Sequence, residues 1–100
     1  MDKYEIKLLP KAHRDVDNIY GYIAKSLMAP ETAGNIMCEM ENAIFSLEEF
    51  PCRGSERKIG AYANKGYRQL FIKNFTIVYR IDESKKYVVI VTVKYTASQF

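Results

Sequence analysis

Residues 66–95 have the sequence GYRQLFIKNFTIVYRIDESKKYVVIVTVKY, and this stretch decides the fold. Its aromatic and β-branched residues are typical of strands that lie on a half-buried surface. Two breaks divide it: Lys73-Asn74, where asparagine tolerates a turn, and the polar segment 82–86. The stretch therefore predicts three strands in a meander with two short turns. Other elements have to cover at least one face of such a sheet.

The alternation of side chains along the first two strands predicts which face is buried. A tight turn at Lys73-Asn74 pairs Arg68 with Tyr79, Leu70 with Ile77, and Ile72 with Phe75. These residues and Ile81 are almost all apolar, so we expect them to form the core face. The opposite face carries rings, polar groups and a guanidinium, and it is expected to be open: Tyr67, Gln69, Phe71, Thr76, Val78 and Arg80.

Composition limits the class of protein. The chain has 100 residues, of which 48% are hydrophobic, so one domain over residues 1–100 with one modest core is expected. Its formal net charge of +3 is compatible with nucleic-acid binding but does not demonstrate it. No apolar run is long enough for a membrane span and no secretory signal is visible, so a cytoplasmic protein is expected. Cys38 and Cys52 form neither a metal motif nor a disulfide framework, and we expect no metal or cofactor.

Two helices are predicted between an N-terminal strand and the meander. Residues 4–9 alternate apolar and charged side chains, which indicates a short strand. Pro10 suits the first turn of a helix, and apolar residues spaced three and four apart continue to Leu27. Pro30 begins a second stripe of this kind, which runs to Phe50 before Pro51 stops it. The short break between the stripes predicts an antiparallel helical hairpin.

The order of elements predicts the architecture. Residues 51–65 have no apolar period and are rich in glycine and charge, so they are predicted to be a long loop. The order is then β-α-α-β-β-β. It predicts an α+β fold in which the helical hairpin packs on one face of a small, mainly antiparallel sheet. The N-terminal strand is expected at an edge of this sheet.

A set of segments in this order resembles a known family of proteins. The matching segments are Tyr4-Glu-Ile6, Ile19-Tyr-Gly-Tyr-Ile-Ala24, Pro30-Glu-Thr-Ala33, Ser46-Leu-Glu-Glu-Phe-Pro51, Gly66-Tyr-Arg-Gln-Leu70, Val78-Tyr-Arg-Ile-Asp82 and Val91-Thr-Val-Lys-Tyr95. Together they resemble the RelE/ParE superfamily of bacterial type II toxins over essentially the whole chain. The resemblance implies a stress or plasmid-maintenance toxin that is neutralised by an antitoxin from a neighbouring gene.

The resemblance leaves the target open. RelE-like members cut mRNA in the ribosome without a metal, whereas ParE-like members bind and inhibit DNA gyrase. RelE-like toxins carry an arginine where this chain has Thr76, and a basic, histidine or tyrosine group where it has Thr96-Ala97. Many ParE-like toxins end the last strand with His-Gly-x-Arg, which this chain lacks. The interpretation therefore leans to gyrase by elimination; an endoribonuclease and a non-toxic antitoxin-binding member are the alternatives.

Candidate site residues follow from these alternatives. If the protein is a nuclease, the groups that could move protons or stabilise a charged phosphorane are Arg68, Arg80, Lys94, Tyr95 and Glu56. Arg68 falls on the apolar face, where an ion pair with Glu48 or Glu49 is favoured over catalysis. Tyr95 could equally be packing. His13, the single histidine, lies on the polar side of the first helix and is expected to be solvated.

Two further surfaces are predicted. Cations of the long loop and one ring beside it could bind RNA, DNA or a protein target, and the alternative is a flexible soluble loop: Arg53, Arg57, Lys58, Lys65 and Tyr67. The last strand is apolar on both of its faces, so one face needs a cover, and an antitoxin is the expected one. The residues assigned to antitoxin binding are Phe71, Val78, Val88 and Ile90. A homodimer or a toxin–antitoxin hetero-oligomer is compatible with this reading.

Overall fold

A computed structural model describes residues 3–60, 62–63 and 65–97; positions 61 and 64 of the predicted loop lie outside the described residues. The helices are α1 (Pro10–Gly21), which continues into a wider π-helical turn (Tyr22–Ser26), and α2 (Pro30–Ser46). The strands are β1 (Glu5–Leu8), β2 (Ser55–Glu56), β3 (Arg68–Ile72), β4 (Phe75–Asp82) and β5 (Tyr87–Tyr95). The predicted order is confirmed, with the two-residue strand β2 added inside the long loop.

The strands form one mainly antiparallel sheet in the order β1-β5-β4-β3-β2. β1 lies parallel to β5 at one edge, and every other pair is antiparallel. The predicted hairpin register between β3 and β4 is confirmed: Arg68 faces Tyr79, Leu70 faces Ile77, and Ile72 faces Phe75. Lys73 takes a left-handed backbone conformation in this turn, with φ of 53°.

The helices begin where the sequence predicts and α2 ends earlier. Both start at a proline, Pro10 and Pro30, whose fixed φ suits a first turn. α2 ends at Ser46 and not at Phe50, and the amides of Leu47 and Glu48 bond to carbonyls three residues back, which tightens the chain into a turn before Pro51. Within the described residues, no helix is both long and apolar enough to cross a membrane.

The core lies between the helices and one face of the sheet. Met40 of α2 and Leu47, the residue that follows α2, are fully buried against it, as are Ile77 and Tyr79 of β4. The helical hairpin therefore packs on the face that the alternation of β3 and β4 predicted. Burial of each large apolar side chain stabilises the fold by about 1.5–3 kcal/mol. This packing therefore fixes which face of the sheet meets the helices and which face is turned away from them.

Val88 and Ile90 of β5 belong to this core, so the prediction that they form an exposed antitoxin surface is wrong. Val88 pairs with Ile81 and Ile90 with Tyr79, which places both on the helix-covered face, and both are fully buried. Because β5 is apolar on both faces, alternation within the strand could not show which face meets the helices. The pairing with β4 decides it, together with a bulge at Val91 opposite the step from Val78 to Tyr79.

The opposite face of the sheet is not bare, which also corrects the prediction for Val78. Val78 and Thr76 are buried there, although Phe71 on the same face is exposed. Part of the cover comes from the segment after β2. The guanidinium of Arg57 donates a hydrogen bond of 2.9 Å to Gln69, the partner of Val78 across the β3–β4 pair.

Candidate functional site

Arg68 and Tyr79 fix the start of the long loop to the core. The Tyr79 hydroxyl donates to the carbonyl of Pro51 at 2.7 Å and accepts from the Gly54 amide at 3.0 Å. Arg68 donates through Nη2 to the carbonyls of Cys52 and Gly54. The expected ion pair of Arg68 with Glu48 or Glu49 is therefore wrong, because the guanidinium satisfies backbone carbonyls instead. Among the described residues its buried Nε has no hydrogen-bond acceptor.

Asp15 is a buried carboxylate that sequence reasoning missed. It is 8% exposed and joins α1 to the end of β5. It accepts hydrogen bonds from the Thr92 hydroxyl and, at 3.2 Å, from the Val93 amide, while Lys11 Nζ and Lys94 Nζ lie 3.1 Å and 3.4 Å from its oxygens. A signal was available, since Asp15 falls on the apolar stripe of α1, where an unpaired charge would be costly.

The surroundings of Asp15 favour its charged form. Burial by itself raises the pKa of the carboxyl, but the hydrogen bonds from Thr92, Lys11 and the Val93 amide outweigh it. The pKa of Asp15 therefore lies below its ordinary value. Lys94 lies 3.4 Å from this carboxylate, and its side chain remains partly exposed.

The end of β5 is held by packing and by a hydroxyl pair. The rings of Tyr95 and Phe75 lie 4.6 Å apart between centroids. The hydroxyls of Thr76 and Thr96 lie 2.9 Å from each other. The two positions where RelE-like toxins carry reactive groups are thus occupied by a pair of threonines that bond to each other.

The candidate catalytic residues do not share a cleft. Tyr79 pairs with Arg68 and lies on the same face of the sheet. Arg80, the next residue along β4, is exposed and lies on the opposite face. Lys94 pairs with Thr76, four residues from Arg80, or about 13 Å along the strand. Glu56 lies exposed on β2 beside Arg68. Metal-free RNA cleavage needs an acid, a base and a cation around one phosphate, and these groups are dispersed.

The loop cations also fall into different environments. Arg57 is buried and donates both to Gln69 and, through its backbone amide, to the Tyr67 carbonyl. Arg53 donates to the Ser46 hydroxyl at 2.7 Å near the end of α2. Lys58 and Lys65 are exposed. The ring of Tyr67 packs against the ring of Tyr62, with 5.0 Å between their centroids.

An apolar groove of about 490 Å³ lies on the helical side of the molecule, and it was not predicted. It runs between β1, α1 and α2. Its lining is mostly apolar, with two carboxylates and the single histidine among the lining residues: Ile6, Leu8, His13, Val16, Asp17, Tyr20, Met37, Met40, Glu41, Ile44 and Phe45. Tyr20 and Phe45 are exposed large rings within it. Among the described residues, no group of three or more histidine, cysteine or acidic side chains could hold a metal ion.

Comparison with solved structures shows where this fold occurs. The chain of the chromosomal ParDE toxin–antitoxin system from P. aeruginosa is 22% identical, with a TM-score of 0.74 over 93% of this chain and 96% of that chain. A chain of the RelBE2 toxin–antitoxin complex from Mycobacterium tuberculosis is also 22% identical, with a TM-score of 0.66 over 98% and 97%. At this identity the likeness establishes the shared fold.

Comparison at the level of sequence is more specific. No curated protein matches the chain. The family model described as the ParE toxin of the type II toxin–antitoxin system parDE matches residues 6–100. The match covers the helical hairpin, the groove, the Asp15 cluster and the whole meander. The chain therefore belongs to the ParE family and is a toxin of the type II toxin–antitoxin class.

Proposed function

We propose that this toxin arrests growth by binding and inhibiting DNA gyrase, and that a cognate antitoxin neutralises it by docking in the groove between β1, α1 and α2. The observation that supports inhibition by binding, and not RNA cleavage, is that side chains at the candidate nuclease positions are bonded to other groups of the fold. Lys94 is paired with Asp15, Arg68 is bonded to loop carbonyls, and Thr76 is bonded to Thr96. These contacts engage the three side chains within the fold, whereas Arg80 is exposed on the opposite face of the sheet from Arg68.

The chemistry of the groove supports an amphipathic antitoxin helix as its occupant. Methionine side chains and the two exposed rings offer adaptable apolar contacts for the apolar face of such a helix. Asp17 and Glu41 line the groove as well, so basic residues on the flanks of the antitoxin helix would complement them.

Expression of this chain without its antitoxin is expected to stop growth of a bacterial host. Inhibition of gyrase predicts that reporter plasmids lose negative supercoiling and that the DNA-damage response is induced before protein synthesis falls. Co-expression with the antitoxin should restore growth. Rapid loss of protein synthesis with cleaved messages and unchanged supercoiling would instead identify a ribosome-dependent nuclease, and normal growth would identify a non-toxic member.

A single charge in the groove should separate antitoxin binding from folding. Phe45 lines the groove and Phe50 does not, yet both side chains are 58% exposed. Phe45→Glu is expected to weaken antitoxin binding by about tenfold to a hundredfold, because it places a carboxylate against the apolar face of the ligand. Phe50→Glu is the matched control and should bind as the wild type does in isothermal titration. Equal affinities for the two variants would remove the groove as the docking site.

A further inference from the structure

Arg80 lies at the centre of a row of residues that crosses the sheet on the face turned away from the helices. The register pairs Lys7 of β1 with Val89 of β5, and Val89 with Arg80 of β4. Neighbouring strands are about 4.8 Å apart, so the Cα atoms of Lys7 and Arg80 are separated by about 10 Å. Continuing the β3–β4 register by one position places Tyr67 beside Arg80. Lys7, Val89, Arg80, Tyr67 and the neighbouring Tyr87 are called the Arg80 patch.

Arg80 is the cation of this patch that the fold leaves unneutralised. Lys7 Nζ lies 3.1 Å from Glu5 and 5.0 Å from the centre of the Tyr87 ring. The nearby carboxylate of Asp82 accepts from the Ser84 hydroxyl at 2.8 Å and the Lys85 amide at 3.1 Å, so it serves the adjacent turn. Arg80 is exposed, and its side chain makes no hydrogen bond, ion pair or ring contact with the described residues.

The floor of the patch is apolar and closed. Val89 and Val91 are only 5% and 6% exposed, and Val78 is fully buried. Arginine and tyrosine contribute much of the binding energy at protein interfaces, above all where they surround apolar side chains from which water is excluded. An arginine in such a setting forms bidentate bonds to a carboxylate, and exclusion of water by the neighbouring rings strengthens them.

The charges around the patch favour an acidic protein segment over a nucleic acid. Glu5 and Asp82 occupy the next row of the same face, on either side of Tyr87. A phosphate backbone carries a charge at every nucleotide and would approach these carboxylates, whereas an acidic protein segment can place one carboxylate at Arg80 and hold its other charges away from Glu5 and Asp82. The groove proposed for the antitoxin lies on the helical side, so the two surfaces are separate.

We propose that the Arg80 patch is the surface with which this toxin binds an acidic segment of its protein target. This assignment rests on the proposed function, in which the toxin acts by binding and the antitoxin occupies the other side. Arg80 anchors a target carboxylate, while Tyr67 and Tyr87 exclude water from that contact.

The test compares Arg80→Glu with Arg14→Glu, which reverses the same charge at an exposed position of α1 outside the groove lining. Each purified chain is assayed for inhibition of supercoiling by the gyrase holoenzyme and for growth arrest. Arg80→Glu is expected to need at least about ten times more toxin for half-inhibition, with Arg80→Lys intermediate and Arg14→Glu unchanged. All variants should bind the antitoxin with wild-type affinity, which shows that the helical side remains folded.

The outcomes of this test separate a failure of the patch assignment from a failure of the proposed function. If Arg80→Glu inhibits gyrase and arrests growth as the wild type does, the patch is not the target surface, although the proposed function stands. If Arg80→Glu abolishes cleavage of messages or binding of a single-stranded RNA probe, the partner is a nucleic acid and the acidic-protein assignment is wrong. A wild-type chain that leaves growth and supercoiling unchanged would overturn both the proposed function and this assignment.

Discussion

Replacement of Gly54 with alanine is expected to lower the free energy of unfolding by about 3 kcal/mol or more. A Cβ at this position would overlap the carbonyl oxygen of Gln69 in β3 and would lie 2.7 Å from the Tyr79 hydroxyl. The first of these atoms belongs to the backbone of a paired strand, so it cannot move aside cheaply.

The cost arises because Gly54 lies at the junction of loop and sheet. Its amide donates to Tyr79 and its carbonyl accepts from Arg68, so any displacement of the loop weakens both contacts. Tyr79 is fully buried, and a hydroxyl left without partners in the core carries a desolvation penalty of about 1–3 kcal/mol. Overpacking and lost hydrogen bonds therefore act in the same direction.

Thermal unfolding followed by circular dichroism measures this effect. For a domain of this size a loss of about 3 kcal/mol corresponds to a melting temperature lower by about 12 °C or more. Gly34→Ala is the control, because a Cβ there meets nothing within 4 Å and the position is inside α2. It should stabilise the protein by about 0.5–1 kcal/mol. A Gly54→Ala melting temperature near that of the wild type would show that the loop can yield without disturbing β3.

Replacement of Asp15 with alanine is expected to cost about 2–3 kcal/mol at neutral pH. The change leaves the Thr92 hydroxyl and the Val93 amide without an acceptor at a buried position. Lys11 and Lys94 contribute less to this cost, because both side chains are partly exposed and can be solvated. Urea unfolding at pH 7 measures the difference. Asp17→Ala is the control, since Asp17 is exposed on the same helix, and it should change stability by less than about 0.5 kcal/mol.

The pH dependence of stability provides an independent check on Asp15. Its pKa in the folded protein is depressed, whereas the unfolded chain has the ordinary value of about 3.9. The unfolded state therefore binds the proton first as the pH falls, and the stabilisation is fully present above the unfolded pKa. It is lost progressively as the pH falls through the folded pKa.

The isosteric variant Asp15→Asn isolates this contribution, because it keeps the shape of the side chain and cannot ionise. The difference in unfolding free energy between the wild type and Asp15→Asn should be constant from about pH 7 to pH 5 and should shrink below about pH 4. A difference that stays the same down to pH 3 would mean that the carboxylate charge contributes nothing to this cluster.

The sequence by itself determined the order of the elements and the inner face of the hairpin. Proline at the first turn of each helix and strict alternation through residues 68–81 are local signals. Each reflects only the backbone geometry of its own segment. The register that pairs Leu70 with Ile77 followed from a two-residue turn. The match of residues 6–100 to the ParE family agrees with the resemblance found in the same segments.

Only the tertiary structure decided what the polar groups and the last strand do. Arg68 is bonded to loop carbonyls and Asp15 is bonded to the end of β5 because distant segments meet, and sequence spacing carries no information about such contacts. β5 is apolar on both faces, so its inner face was fixed by pairing with β4 and by the bulge at Val91. The groove exists because α1, α2 and β1 leave apolar side chains uncovered where they meet. A local pattern fixes conformation within one segment, while burial and partner choice depend on which segments become neighbours.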